Sequence, residues 1–269
     1  MSFYTFKNRY FITGKIVAET PIHVGAQTSL MPTVSELPVL KTHTGLPYIP
    51  GSTLKGAVRA FTEKILRTLK KMNPKLDMWA CNPLSEDGQC VNDRKKEKLV
   101  IKHTVNGVFN DEKFSEEILG LTCTACRIFG SKWVASRVLF KDALLTNSSE
   151  MIRLVEVRDG VAIDRDTGTA KARMKFDYEA VPRGAEFSLQ VVFENAEKWE
   201  VGLLLLALKS MGEGFPIGGI ARGGLGWGAV NIEKVEVVSG SNLLSYLKTG
   251  KREACDPEEL IDEFARRVG

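Results

Sequence analysis

Residues 10–18, Tyr10-Phe11-Ile12-Thr13-Gly14-Lys15-Ile16-Val17-Ala18, form a β-branched and aromatic run that predicts a strand. Turn-forming residues Pro21, Gly25, Pro32, Gly45 and Pro47 then predict an irregular stretch over residues 20–50. Leu54, Val58, Phe61, Ile65 and Leu69 recur every three or four positions, so a helix follows. Ser52 stands where an N-cap is expected. Residues 72–120 read as an insertion, broken by Pro74, Pro83, Gly88 and a charge run over 93–98, until a short helix near 111–119. The pattern then predicts a strand over about 137–145, a long hairpin within 149–184 and a strand over 185–194. A buried helix is expected over 199–211 and a final core strand over 228–238. Two short polar helices close the chain, the second opened by Asp256-Pro257. With the inserts set aside, the order β-α-β-β-α-β predicts an α+β fold, a ferredoxin-like (RRM-like) palm with two helices on one face of a four-stranded sheet. Many unrelated functions share that arrangement, so fold alone decides none of them.

Composition narrows the class. Hydrophobic residues make up 43% of the 269 and charged residues 26%, as in ordinary globular proteins. The longest apolar run, residues 203–208, is far shorter than the roughly 20 residues of a membrane helix, so no membrane role is expected. No charged segment followed by an apolar one opens the sequence, which argues against secretion. The five cysteines, an odd number, argue against a disulfide framework and fit a reducing cytoplasm. The net charge of +4 permits a polyanionic partner without requiring one.

Three segments carry candidate chemistry. In Ile49-Pro50-Gly51-Ser52-Thr53-Leu54-Lys55-Gly56-Ala57-Val58-Arg59, a helix N-terminus offers N–H groups to phosphate, and Lys55 and Arg59 share one helical face. The alternative is a capped helix with a solvated basic face. Residues 212–228 hold eight glycines in 17 positions, together with Arg222 and Trp227. Such density suits close approach of a backbone to a ligand, with Arg222 as a phosphate-binding fork and Trp227 able to stack on a base. A flexible turn with Trp227 in the core is the plainer reading. Cys123 and Cys126 form a C-x-x-C pair that Cys81 and Cys90, or His103 replacing one of them, would complete as a structural zinc site. Buried free thiols are the other reading.

In this order, Pro50-Gly51-Ser52-Thr53-Leu54-Lys55-Gly56, the Cys-x-x-Cys-Arg-Ile-Phe-Gly block at 123–130 and the late glycine loop resemble the RAMP superfamily of CRISPR-associated proteins. More narrowly, they resemble the backbone subunits that repeat along type III effector filaments. Thr20-Pro21-Ile22-His23-Val24-Gly25 matches that family's opening, and the resemblance spans roughly residues 8–235. It implies a palm begun by residues 1–71, a lid inserted at 72–126, the rest of the palm at 127–240 and a helical tail at 241–269. A β-hairpin thumb is implied within 156–181, with Arg158, Arg165, Lys171 and Arg173 towards its tip. It implies CRISPR RNA, target RNA, further copies of the chain and other effector subunits as partners. The implied RNA contacts are Ser52, Lys55, Arg59, Arg127, Arg222, Gly218, Gly219, Gly223 and Gly224, with Arg165 and Arg173 on the thumb.

Family members that cut target RNA place an aspartate just ahead of a Pro-Val pair, where a carboxylate can hold Mg2+ near the scissile phosphate. Glu36, in Val34-Ser35-Glu36-Leu37-Pro38-Val39, occupies that place with one extra methylene. Two outcomes stay open: Glu36 is catalytic, or the subunit only binds. His23 and His43 are nearby acid/base candidates. A precursor-processing endoribonuclease and a structural domain without RNA are the competing functions.

Overall fold

The computed structural model describes residues 4–26, 35–211, 213 and 216–269, and only the backbone of residues 172, 173 and 222. In chain order the elements are β1 (Asn8–Ala18), β2 (Tyr48–Ile49), α1 (Gly51–Met72), α2 (Asp93–Lys102), β3 (Thr104–Val105) and β4 (Val108–Phe109). Next come α3 (Asp111–Leu121), α4 (Thr124–Phe129), β5 (Val138–Phe140), β6 (Ala143–Leu144), β7 (Glu156–Ile163), β8 (Ala170–Ala180) and β9 (Glu186–Glu194). The chain closes with α5 (Lys198–Lys209), β10 (Gly228–Ser239), α6 (Leu243–Thr249), β11 (Glu253–Cys255) and α7 (Pro257–Val268).

An antiparallel sheet in the order β11-β10-β1-β9-β5 is the frame. The architecture is mixed α+β. Alternation along β1 sorts its side chains: Tyr10, Ile12, Ile16 and Ala18 are buried in the core, while Phe11, Thr13, Lys15 and Val17 lie on the other face. The buried side meets α1 through Leu54, Val58 and Leu66, and α5 through Val201, Leu204, Leu205 and Leu208. Burying a side chain of that size contributes about 1.5–3 kcal/mol, so each of these contacts adds substantially to stability. At its rim, the buried pair Arg137 and Glu200 ties the approach to β5 onto α5, with Arg137 also donating to Asn195 O at 2.8 Å.

Three local expectations change. The helix begins at Gly51, with Pro50 at its N-cap position and Ser52 exposed on its first turn. Asp142 takes the capping role from across the fold, accepting from Gly51 N–H at 2.8 Å. That close approach needs glycine, because a Cβ at position 51 would stand 2.2 Å from Phe140 O. The strand expected over 137–145 is broken at Lys141-Asp142: β5 joins the main sheet and β6 leaves it to pair with β2. The charge run over 93–98 is helical, opened by Asn92, whose side chain accepts from Lys95 N–H at 3.0 Å. Among the described residues, no helix is long and apolar enough to cross a membrane.

Candidate functional site

The glycine-rich segment lies against the chain that leaves β1. Gly219 N–H donates to His23 O and Gly226 N–H to Pro21 O, each at 2.8 Å. Gly218 has φ +86°, and a Cβ there would fall 2.2 Å from His23 O, so only glycine lets the two backbones touch. Gly223 and Gly224 close the tip of the segment by donating to Ile220 O and Ala221 O. The side chain of Arg222 lies outside the described residues. Trp227 is half-buried, and its carbonyl accepts from Glu19 and Thr20.

The ledge continues from there to α1. Leu40 N–H donates to Val24 O at 2.9 Å, Tyr48 N–H donates to Leu40 O at 3.3 Å, and Tyr48 pairs with Leu144. Three backbone crossings therefore join the glycine segment to the start of α1, at roughly 4.8 Å per crossing. Lys55 is half-buried one turn into α1, and burial first, then the charge of Arg59, lowers its pKa below the usual lysine range. Ser52 is exposed beside it. Arg59, one turn further on, is committed within the fold: it donates to Glu63 at 2.8 Å, Gly130 O at 3.0 Å and Cys126 Sγ at 3.5 Å. Arg127 is half-buried, and its Nε has no hydrogen-bond partner among the described residues.

Glu36 is exposed on a strip that runs along the base of β8. Its N–H donates to Asp177 Oδ1 at 3.0 Å, and Leu37 exchanges backbone hydrogen bonds with Asp177 O and Glu179 N–H. An aspartate thus reaches this strip from the hairpin. Mg2+ is commonly held by one or two carboxylates plus substrate phosphates; here the Asp177 carboxylate is engaged by the Glu36 backbone N–H. Among the described residues no third ligand joins them. His23 is buried, its Nδ1 lies 2.6 Å from Glu179 O and its ring meets Tyr178 edge-on, so it packs the root of the hairpin. His43 is exposed in the turn before β2.

Among the described residues, the cysteines form the one group of three or more metal-ligating side chains. Cys81, Cys90, Cys123 and Cys126 are all buried, none is in a disulfide, and their sulfurs lie within 4.8 Å of one another. Cys81 and Cys126 are 3.6 Å apart at sulfur, close to the roughly 3.8 Å edge of a tetrahedron with 2.3 Å Zn–S bonds. Cys126 N–H also donates to Cys123 Sγ at 3.4 Å. Hydrogen bonds from Cys123, then Cys126, pull the Cys90 thiol down to about 2. Cys123 is pushed up to about 12: its hydrogen bond with Cys126 pulls downward, but the bond to Cys90 and burial outweigh it. Hydrogen bonds to Cys123 and Cys90 also hold Cys126 above the usual thiol range. Four sulfurs this close share protons or share a cation. His103 does not belong to the set: it sits 2.7 Å from Glu117 and packs edge-on against Phe114, which corrects its place as an alternative ligand.

Comparison with known proteins decides the family. The RAMP superfamily pattern matches residues 15–231. The chain belongs to the RAMP superfamily. Its relatives include three proteins named "CRISPR system Cms endoribonuclease Csm3". That of Methanothermobacter thermautotrophicus is 25% identical over 244 residues, covering 86% of each chain. That of Methanocaldococcus jannaschii is 24% identical, covering 87% of this chain and 82% of the relative. The Streptococcus thermophilus protein is 24% identical, covering 84% and 88%.

Within this RAMP protein the β7–β8 hairpin is charge-balanced along its stem. Arg158 pairs with Glu156 and Lys175 with Asp159. Arg165 and Lys171 are exposed towards its tip, and the side chain of Arg173 lies outside the described residues. Phe176 lies over Gly160 and leads to Tyr178 and His23, an aromatic row down the hairpin root. Sequence reasoning missed Asp142, Asp177 and Glu63. Each acts on a residue brought to it by the fold or a helical turn, and none stands in a recognisable motif.

Proposed function

We infer that this chain is a CRISPR RNA-binding backbone subunit of a type III effector complex, in which copies stack along the guide. Relatives named as CRISPR-system proteins align with more than four-fifths of the chain. The observation that carries the location of the grip is the hydrogen-bonded ledge from Gly219 through His23-Val24, Leu40 and Tyr48 to the start of α1. A sugar–phosphate strand laid on it would meet Ser52 and Lys55 at one end and Gly218, Gly219, Gly223, Gly224 and Arg222 at the other. Guide pairing would choose the target, so the protein reads backbone and not bases.

The sheet is a ferredoxin-like palm on this reading. Among its strands, β10-β1-β9-β5 follow the order expected of β-α-β-β-α-β, with α1 and α5 as the two helices. The segment 72–126 is the lid, the β7–β8 hairpin the thumb, and the complex works in the cytoplasm on target RNA and beside other effector subunits. The cysteines are a structural zinc site, closed and without an open coordination position. Glu36 would position Mg2+ for target cleavage, supported by Asp177 holding its strip in place.

Filter binding with single-stranded RNA tests the grip. Lys55→Ala should weaken binding across sequences and lower the salt slope by about 1. Unchanged affinity and slope would remove α1 from the interface. Purified protein given guide, complementary RNA and Mg2+ should cut at a fixed spacing, whereas a metal-independent cut in precursor repeat RNA would favour a processing enzyme.

A further inference from the structure

Two of the basic residues of α1, Arg59 and Arg67, reach the loops that carry the cysteines, whereas Lys55, one turn before Arg59, takes no part in that network. Arg59 spreads its guanidinium over three partners: Nε on Glu63, Nη1 on Gly130 O and Nη2 on Cys126 Sγ. Glu63 is buried and uses its second oxygen for Arg67, 3.0 Å away, and Arg67 in turn donates to Cys81 O. The row Arg59–Glu63–Arg67, spaced by four, therefore bolts α1 to both halves of the cluster: the 123–126 turn through Arg59 and the 81–90 loop through Arg67.

We propose that Arg59 is an outer-sphere residue of the cysteine metal centre, where it holds sulfur charge in place and registers α1 against the bound ion, and is not a contact to RNA. The proposal rests on the zinc reading given above. Four thiolates around one Zn2+ leave a net charge of −2, and a buried charge without a partner is strongly unfavourable. The Arg59 fork is the described side chain that donates directly to one of those sulfurs from outside the set. Lys95 adds support at Cys90 O, at 3.0 Å, through the carbonyl and not the sulfur. A cleft of about 280 Å³ opens onto Cys81, Cys90 and Cys126, with Arg59, Gln89 and Lys132 among the residues on its walls.

The test loads the full chain with zinc, and separately with cobalt, and follows release to a chromogenic chelator. Outer partners of metal ligands commonly change affinity 10- to 100-fold, so Arg59→Met should release zinc at least about tenfold faster. Its cobalt form should show sulfur-to-cobalt absorption shifted to lower energy, because the thiolate loses a hydrogen-bond donor. Arg59→Lys, which keeps the charge, should recover part of the difference. Should Arg59→Met fail to fold, Arg59→Gln keeps an amide donor near the place where Nε meets Glu63 and drops the charge; the same acceleration is expected. A folded neutral variant with wild-type release and an unshifted cobalt spectrum overturns the role of Arg59 while the zinc site stands. Wild-type protein that binds neither ion overturns the zinc reading and this proposal with it.

Discussion

Asp142 offers a perturbation whose two effects run in opposite directions. Its carboxylate accepts from Gly51 N–H at 2.8 Å and so occupies the anion-attracting end of α1. Asp142→Asn keeps an oxygen acceptor of the same size and removes the charge. Stability should fall by about 0.3–1 kcal/mol, the usual value of a carboxylate at a helix N-terminus. RNA affinity should rise. A phosphate bound beside Ser52 and Lys55 would share the helix start with this carboxylate, and like charges about 6 Å apart repel by about 0.7 kcal/mol at the dielectric of water and about 2.8 kcal/mol at an effective value of 20. Salt screens part of it, so about 1 kcal/mol is expected, or about fivefold tighter binding. Thermal melting and filter binding at several salt concentrations, on the same preparations, separate the two effects. A variant that loses stability without gaining affinity would mean that no phosphate lies at the start of α1, and the ledge would lose that end.

Gly218→Ala should cost about 1–3 kcal/mol, since it puts a Cβ 2.2 Å from His23 O at a φ of +86°; a lower melting temperature together with weaker RNA binding is the expected pair. Glu200→Gln leaves Arg137 buried without its carboxylate and should destabilise by about 3–5 kcal/mol in urea titration; a loss below about 1 kcal/mol would mean the pair is rearranged or wet. Glu36→Gln should reduce Mg2+-dependent cutting by about 100-fold with guide binding unchanged, and cutting that persists removes Glu36 from the reaction.

The parts legible in the sequence are those with a repeating signal. Leu54, Val58 and Phe61 mark α1 because one face of a helix must be apolar, and the alternation in 185–194 marks β9. The α2 helix was hidden because only Leu99 is buried along it: a helix with almost no apolar face has no period to read. Ser52 stands where a cap is expected, but sequence position alone cannot reveal a cap supplied 91 residues away by Asp142. Asp177 was invisible for the same reason, meeting Glu36 across 141 positions. The four cysteines were legible as a set, yet the choice between Cys and His103 required knowing that Glu117 holds the histidine. Arg59 and Lys55 looked equivalent at a spacing of four, and only the turn of the cysteines towards α1 sets them apart.

The open face of the sheet bears on where RNA can bind. Many RNA-binding domains use the open face of a sheet, with aromatic side chains as stacking platforms. Here Phe11 occupies such a position, but Arg252 from the C-terminal tail lies 3.6 Å above its ring and pairs with Glu236 on the neighbouring strand. Arg9 pairs with Glu194 and Lys15 with Glu186 on the same face. A polyanion gains little from cations already matched with carboxylates, and it would have to displace Arg252 to reach the aromatic ring. Near the ledge the balance differs: Lys55, in the first turns of α1, is half-buried and matched with no carboxylate among the described residues, and Asp142 is the carboxylate at the helix start. Removing the tail tests the distinction. Ending the chain at Gly240 would uncover Phe11 and cost the packing of α7 on α5, so stability should fall. If the ledge is the binding surface, RNA affinity of whatever folds should stay within about twofold, less than the 1.4 kcal/mol that a tenfold change represents. A gain of tenfold or more would place the strand on the open face instead.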